Sequence, residues 1–368
     1  MTKKSLNILG TRGIPAQHGG FETFAENLAL YLVGKGWDIN VYCQSSACEA
    51  SSITYSIWNG VNLVHIPVKG EGAKATILFD YLSVKHASRQ KGLVLTLGYN
   101  TALFNILLRI SGVRNLINMD GIEWKRDKWK WYEKAWLYLN ERFGCIVANH
   151  LIADHPEIKN HLATRVKISK IAMIPYGARS VALSDMSLIN TFGLTKKKYC
   201  IVIARPEPEN SILEIIKAFS EKKRGINLVV LGKYDSDVPY QRSVIEVASE
   251  EVLFLGAIYD HDTLDALRHH SCLYIHGHTV GGTNPSLIEA LGSAQPVLAH
   301  NNKFNRWVAG EKSAYFDDTV SCLQQLDFLL GSPDVLKEMS SESVRRFESM
   351  YTWDKVLWEY EILLSDWS

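Results

Sequence analysis

The feature that most limits how this chain can fold is an alternation. Short apolar runs recur from end to end, most of them separated by stretches with apolar residues at helical spacing. In the first half the runs cover residues 6–9, 38–43, 61–67, 93–97, 115–119 and 150–153. In the second they cover 199–204, 227–232, 252–255, 272–275 and 297–299. Alternation of this kind predicts an α/β fold with parallel sheets covered by helices on both faces. Ligands of such sheets sit beyond the carboxyl ends of the strands. A length of 368 residues suits two domains. The polar, turn-rich stretch after Tyr176-Gly177-Ala178 separates residues 1–178 from 179–351. Residues 352–368 carry apolar positions at helical spacing (Trp353, Val356, Leu357, Tyr360, Leu363, Leu364), which suits a helix packing back on the first domain.

Composition narrows the function classes. A net charge of +1 argues against a general nucleic-acid binder. Cys43, Cys48, Cys145, Cys200, Cys272 and Cys322 are scattered without C-x-x-C pairs. This spacing suits reduced thiols in a cytoplasmic protein better than a disulfide framework or a metal site, and no metal is expected. The apolar run 6–9 is too short for a signal-peptide core and leads straight into a glycine loop. No run approaches the ~18 residues of a membrane-spanning helix, so any membrane contact is expected to be peripheral.

Four stretches carry candidate chemistry. Residues 274–300, YIHGHTVGGTNPSLIEALGSAQPVLAH, read as strand, glycine loop and helix. Asn284, Pro285, Ser286 and Leu287 form the helix start, with Glu289 expected near the first turn. Backbone N–H groups and the positive dipole end at such a start suit an anion, typically a phosphate. A second loop, residues 10–20, holds Gly13, Gly19 and Gly20 together with Gln17 and His18. Its spacing is not G-x-G-x-x-G, but glycines there let backbone approach a ligand where a strand feeds a helix; for any one of them a tight turn is the alternative. Asp120, followed by Gly121 at a strand end, reads equally as a turn-former or a site carboxylate. Arg205 follows a buried-looking strand in a loop fixed by Pro206 and Pro208. Its guanidinium can fork onto phosphate oxygens, or pair with Glu207 or Glu209 at the surface.

Residues 124–136, WKRDKWKWYEKAW, interleave basic residues with four tryptophans. One reading is contact with anionic lipid at a membrane surface. Another is a helix whose tryptophans pack on their own domain while the lysines face water. Nucleic-acid binding is a third, weakened by the balanced charge.

Taken in order, Arg-Pro-Glu-Pro-Glu at 205–209, Leu-Gly-Lys at 231–233, Phe-Leu-Gly at 254–256 and the run from Gly281 to Val297 resemble the nucleotide-sugar domain of glycosyltransferase family 4. Thr11-Arg12-Gly13-Ile14-Pro15, Gly19-Gly20-Phe21-Glu22 and Asp120-Gly121-Ile122-Glu123-Trp124-Lys125-Arg126 look like a bacterial branch that includes rhamnosyltransferases of surface-polysaccharide synthesis. The resemblance spans nearly the whole chain. It implies a GT-B fold, two Rossmann-like domains facing each other across a cleft, and retaining transfer without cofactor or metal.

The co-substrate implied is a nucleotide-diphosphate sugar, with dTDP-rhamnose the leading donor. The acceptor implied is a glycan or a polyprenyl-diphosphate-linked sugar. Of the family's Glu-x7-Glu pair, Glu289 matches the second member, which usually holds the ribose hydroxyls; Gly281 stands in place of the first. Arg205 matches the arginine of the diphosphate pair, and Asn210 stands where its lysine is expected. The resemblance therefore implies Asp120, Arg205 and Glu289 as catalytic. Gly13, Asn210, His278, Gly281, Gly282, Thr283, Asn284, Ser286 and Leu287 are placed at the donor. Gly19, Gly20, Glu22 and Trp124 are placed at the acceptor. The protein is expected to be cytoplasmic, with peripheral contact at the inner membrane surface if the Trp/Lys stretch meets lipid. A sugar-nucleotide epimerase and a non-catalytic nucleotide-sugar or glycan-binding subunit are the alternatives.

Overall fold

A computed structural model describes residues 3–16, 19–45 and 52–368; Gln17, His18 and Cys48 lie outside the described residues. The chain divides into two compact units, one of residues 1–175 with 353–368 and the other of residues 176–352.

The first unit is built on an eight-stranded sheet. Its strands are β1 (Ser5–Leu9), β2 (Asp38–Ser45), β3 (Thr54–Trp58), β4 (Val61–Pro67), β5 (Leu93–Leu97), β6 (Asn115–Asn118), β7 (His150–Ala153) and β8 (Ile171–Met173). They lie in the order β3-β4-β2-β1-β5-β6-β7-β8. The pairings are parallel except at one edge, where β3 runs antiparallel to β4. An all-parallel sheet was the expectation, and the edge strand departs from it for a local reason. Asn59 and Gly60 both take positive φ (47° and 82°) and close a tight hairpin between Trp58 and Val61. The strands β5 and β6 are buried along their whole length, and β5 is apolar but for Thr96. Each fully buried Leu, Ile or Val contributes roughly 1.5–3 kcal/mol of transfer free energy, so the continuous runs specify the sheet interior.

The helix Trp353–Trp367 closes this unit. Tyr360 packs tilted against Phe24 with ring centroids 4.7 Å apart, and its hydroxyl accepts from the Asn118 amide at 2.9 Å. Tyr31 donates to Glu361 at 2.8 Å.

The second unit carries a six-stranded sheet with parallel pairings throughout. Its strands are β9 (Tyr199–Ile203), β10 (Asn227–Leu231), β11 (Val252–Gly256), β12 (Leu273–His276), β13 (Val297–His300) and β14 (Ala314–Phe316). They lie in the order β11-β10-β9-β12-β13-β14, which in the unit's own count is 3-2-1-4-5-6. This is the doubly wound dinucleotide-type arrangement, whose strand order reverses between the first and fourth strands and opens a crevice at their carboxyl ends. Residues 176–178, placed with the first half by their sequence, are held in this unit: the Ala178 N–H donates to the Tyr351 carbonyl at 2.8 Å.

Candidate functional site

In the second unit the reversal falls between β9 and β12, and the loops leaving these two strands are the two stretches that stand out in the sequence. They are fastened to each other. Both the N–H and the hydroxyl of Thr279 donate to the Glu209 carbonyl, at 2.9 and 3.0 Å. Gly277 passes so close to the other loop that a Cβ built on it would lie 2.0 Å from the Asn210 carbonyl oxygen. Only glycine permits this approach, and it brings Arg205 and the 281–284 turn to one edge.

Arg205 is exposed there, and among the described residues no ion pair holds its guanidinium. Asn210 is 4% exposed, and its side-chain amide donates to the Arg205 carbonyl at 2.7 Å. The residue standing in for the expected lysine therefore points inward and braces the arginine loop. Gly281 has φ 132°, and a Cβ added to it would meet nothing within 4 Å. The position where the family 4 resemblance implies a carboxylate is thus spatially open but held in a backbone conformation that favours glycine.

The helix Pro285–Gly292 follows, with Glu289 in its second turn, next to the first. Its Oε2 accepts from Arg268, a residue only 5% exposed in the last turn of the helix His261–His270. That salt bridge fixes the carboxylate from behind. The helix start is also less open than its sequence suggests. The Asn284 side chain accepts the Ser286 N–H at 3.0 Å, and the Asn284 carbonyl accepts the N–H groups of Leu287 and Ile288 at 3.2 and 3.3 Å. Ser286 is further engaged by the Tyr274 hydroxyl at 2.9 Å. Leu287 and Thr283 are buried, so their side chains belong to the interior and an anion is offered chiefly the glycine turn ahead of the helix.

Beneath this turn the rings of His276 and His278 stack 4.3 Å apart, 9° from parallel. Burial, reinforced by His278 and His300, holds the His276 imidazole well below its ordinary pKa, so it is neutral at pH 7. The His278 carbonyl accepts from the side chains of Asn302 and Asn305 at 3.0 and 2.8 Å.

The first unit has its own crevice, where its strand order reverses between β1 and β5. A cavity of about 300 Å³ opens there, lined by Gly19, Gly20, Glu22 and Asp120 among others. Gly10 makes the walls meet: with φ 86°, a Cβ on it would lie 2.1 Å from the Leu97 carbonyl. Asp120 proves to be both a turn residue and a cavity residue. It takes a left-handed φ of 49°, its N–H donates to the Asn118 side chain at 2.9 Å, and it faces the cavity. Burial, with the Asp154 and Glu123 carboxylates adding to it, pushes its pKa up to about 7. A carboxylate poised there can take a proton at neutral pH.

Gly13, expected at the donor, lies outside this lining: a Cβ there would meet the Cys43 side chain at 2.9 Å, so this glycine lets the loop pack on β2. Trp124 is also absent from the lining. Its indole N–H donates to Glu141 at 2.7 Å, and that buried carboxylate is further held by His161 and Arg165 at 3.0 and 3.3 Å. Conversely, Asp80, Ser83 and Thr101 line the cavity although nothing in their sequence setting singles them out.

The Trp/Lys stretch divides. Trp124 and Trp129 are tied down, the latter to Glu123 at 3.3 Å. Trp131 is 81% exposed, and the helix it begins, Trp131–Val147, shows Tyr132, Trp136, Leu139 and Ile146 on one exposed face. Among the described residues no cluster of side chains suits a metal ion, and no helix is long and apolar enough to cross a membrane.

Comparison with known proteins gives two family matches. Residues 189–319 match glycosyl transferases group 1, and residues 3–179 match a domain of unknown function, DUF1972. No curated protein matches the sequence. Among solved structures, sucrose-phosphate synthase from Thermosynechococcus elongatus is similar at 14% identity over 99% of both chains, with a TM-score of 0.84. HepE from Anabaena, in complex with UDP and glucose, is 13% identical over 99% of both chains, with a TM-score of 0.76. A UDP-forming α,α-trehalose-phosphate synthase from Burkholderia xenovorans, in complex with glucose-6-phosphate, is 10% identical over 98% of this chain and 100% of that one, with a TM-score of 0.76. The shared fold is GT-B with two Rossmann-like units, and the second unit carries a glycosyl transferase group 1 domain.

Proposed function

We propose that the chain is a retaining glycosyltransferase of the family 4 type, moving a sugar from a nucleotide-diphosphate donor to a lipid-linked or oligosaccharide acceptor in bacterial surface-polysaccharide synthesis. The observation that carries this reading is the meeting of the Arg205 loop with the 276–284 loop at the crevice of the second sheet, inside the segment that matches glycosyl transferases group 1. In this reading Glu289, oriented by Arg268, accepts from the ribose hydroxyls. The diphosphate lies against the Gly281-Gly282 turn, and Arg205 neutralises charge that develops on the leaving phosphate. His278 faces the donor from the same loop. The acceptor belongs to the first unit, where Asp120 orients its hydroxyl or takes its proton. Reaction proceeds without cofactor or metal.

The donor we favour is dTDP-rhamnose. Gly281 supports a remodelled donor pocket, because it stands where the family 4 resemblance implies a carboxylate. UDP-glucose is the competing donor, since HepE binds UDP and glucose and the trehalose-phosphate synthase forms UDP. Transfer from each donor to polyprenyl-diphosphate-linked and oligosaccharide acceptors tests the reading. Arg205→Ala and Glu289→Ala are each expected to lower turnover by ~100-fold or more, the scale seen when one charge-stabilising donor is removed. Undiminished transfer in both variants contradicts the site.

The exposed face of Trp131–Val147 supports peripheral contact with the cytoplasmic leaflet. Aromatic and aliphatic side chains line it, and the exposed Lys125, Lys130 and Arg142 supply charge that anionic headgroups complement.

A further inference from the structure

The cavity between β1 and β5, where Asp120 meets the acceptor in the glycosyltransferase reading, has a second wall whose chemistry that reading does not use. One wall is the helix Ala73–Ala87, whose Thr76, Phe79, Asp80 and Ser83 turn toward the cavity at helical spacing. Opposite stands Thr101, whose hydroxyl donates to Asp80 Oδ2 at 2.8 Å. This leaves Asp80 Oδ1 as an acceptor. Ser83 is 1% exposed, yet its hydroxyl has no hydrogen-bond partner among the described residues. A buried hydroxyl is costly to leave unpaired, and a ligand group at this wall would satisfy it. Phe79 and Phe21 contribute apolar ring surface to the same space.

The charge balance is uneven. Among the described residues, three carboxylates, Glu22, Asp80 and Asp120, face the cavity against the guanidinium of Arg12. Burial already pushes Asp80 up to about 6, so the site resists further negative charge. A phosphorylated ligand would add an anion beside these groups, whereas hydroxyls would donate to them.

We propose that this cavity binds the terminal sugar of the acceptor as an unphosphorylated, hydroxyl-bearing ring, with Asp80 and Ser83 reading its hydroxyls and Phe79 facing its C–H surface. The volume, about 300 Å³, lies at the small end of ligand pockets and suits a single ring. This inference rests on the glycosyltransferase reading for the word acceptor, but not for the binding chemistry.

Saturation-transfer NMR on the full chain tests it, using methyl glycosides of neutral hexoses, 6-deoxyhexoses and N-acetylhexosamines beside glucose 6-phosphate and inorganic phosphate. At least one neutral glycoside is expected to bind wild type, and neither phosphate probe is. Asp80→Asn is expected to weaken that glycoside about tenfold or more, the scale of a hydrogen bond to a charged group. Ser83→Ala should weaken it several-fold. Thr101→Val removes the hydroxyl that orients Asp80 and should also weaken binding, with Thr101→Ser restoring it. Thermal stabilisation by dTDP-rhamnose and UDP-glucose is followed in the same samples, and its retention in each variant shows an intact fold. Silence of every neutral glycoside, glucose 6-phosphate binding as well as they do, or binding unchanged in Asp80→Asn overturns the inference. If donors bind and neutral glycosides do not, the inference fails alone; if glycosides bind and no nucleotide sugar does, the donor reading fails and the cavity chemistry stands.

Discussion

At the scale of single residues, two carboxylates and two glycines define what the sites can do. Asp120 has its folded-state pKa raised from the ordinary 3.8 to about 7, and Asp80 from 3.8 to about 6. A raised carboxyl contributes stability that is fully present below the unfolded value and is lost as pH rises through the folded one. Asp120→Asn is therefore expected to melt above wild type at pH 8, with the difference closing as pH falls from about 7 to about 4. A constant difference across that window in calorimetry would contradict the assignment. Gly277→Ala drives a Cβ into a backbone carbonyl and should cost about 1–3 kcal/mol of stability, as overpacking does. Gly281→Ala meets no atom and costs only the strain of a backbone held at φ 132°, also about 1–3 kcal/mol. Urea denaturation measures both, and a Gly277→Ala variant as stable as wild type would argue against the loop clasp. The sequence made Arg205, Glu289 and Asp120 visible because they follow strands or glycine turns. Asp80 and Arg268 were not visible, since a charged residue inside an amphipathic helix reads as solvated surface until the partner elements are in place.

At the scale of elements, continuous apolar runs located the buried strands closely, β4 and β5 to the residue. The edge strand β3 escaped because its polar alternation is weak and its burial low, although Asn59-Gly60 is the turn signal that marks such a hairpin. The helix start at Asn284 was legible as a cap, but not that its own side chain and carbonyl occupy the first amides. Residues 124–136 illustrate the limit of composition: Trp124, half-buried in a turn ahead of the helix, donates to a carboxylate, whereas Trp131 at the start of the helix is exposed, and the element each sits on decides which. Replacing Trp131, Trp136 and Leu139 together by serine is expected to lower binding to vesicles of phosphatidylglycerol about tenfold or more, while vesicles of phosphatidylcholine bind weakly throughout. Unchanged co-sedimentation with the anionic vesicles would remove the membrane from the account.

At the scale of the whole molecule, the parallel strands of each of the two sheets reverse their order at one point, β1/β5 and β9/β12, and each reversal carries a distinctive loop pair. In the second unit the crevice lies between β9 and β12, and in the first between β1 and β5. The alternation of runs made both sheets readable, whereas the strand order that creates the crevices depends on crossovers no local pattern records. The division of labour we propose, donor in the second unit and acceptor in the first, follows from the chemistry at each edge. Its central claim is that the second unit holds a nucleotide sugar through Arg205 and Glu289. The most direct measurement is the thermal midpoint of the full chain across a panel of nucleotide sugars, with Arg205→Ala and Glu289→Ala beside wild type. A donor at 100 times its Kd stabilises the folded state by about 2.7 kcal/mol, which raises the midpoint measurably. Stabilisation by dTDP-rhamnose is expected in wild type, with its loss in both variants. A midpoint unmoved by every nucleotide sugar, or a shift that survives both substitutions, would contradict it.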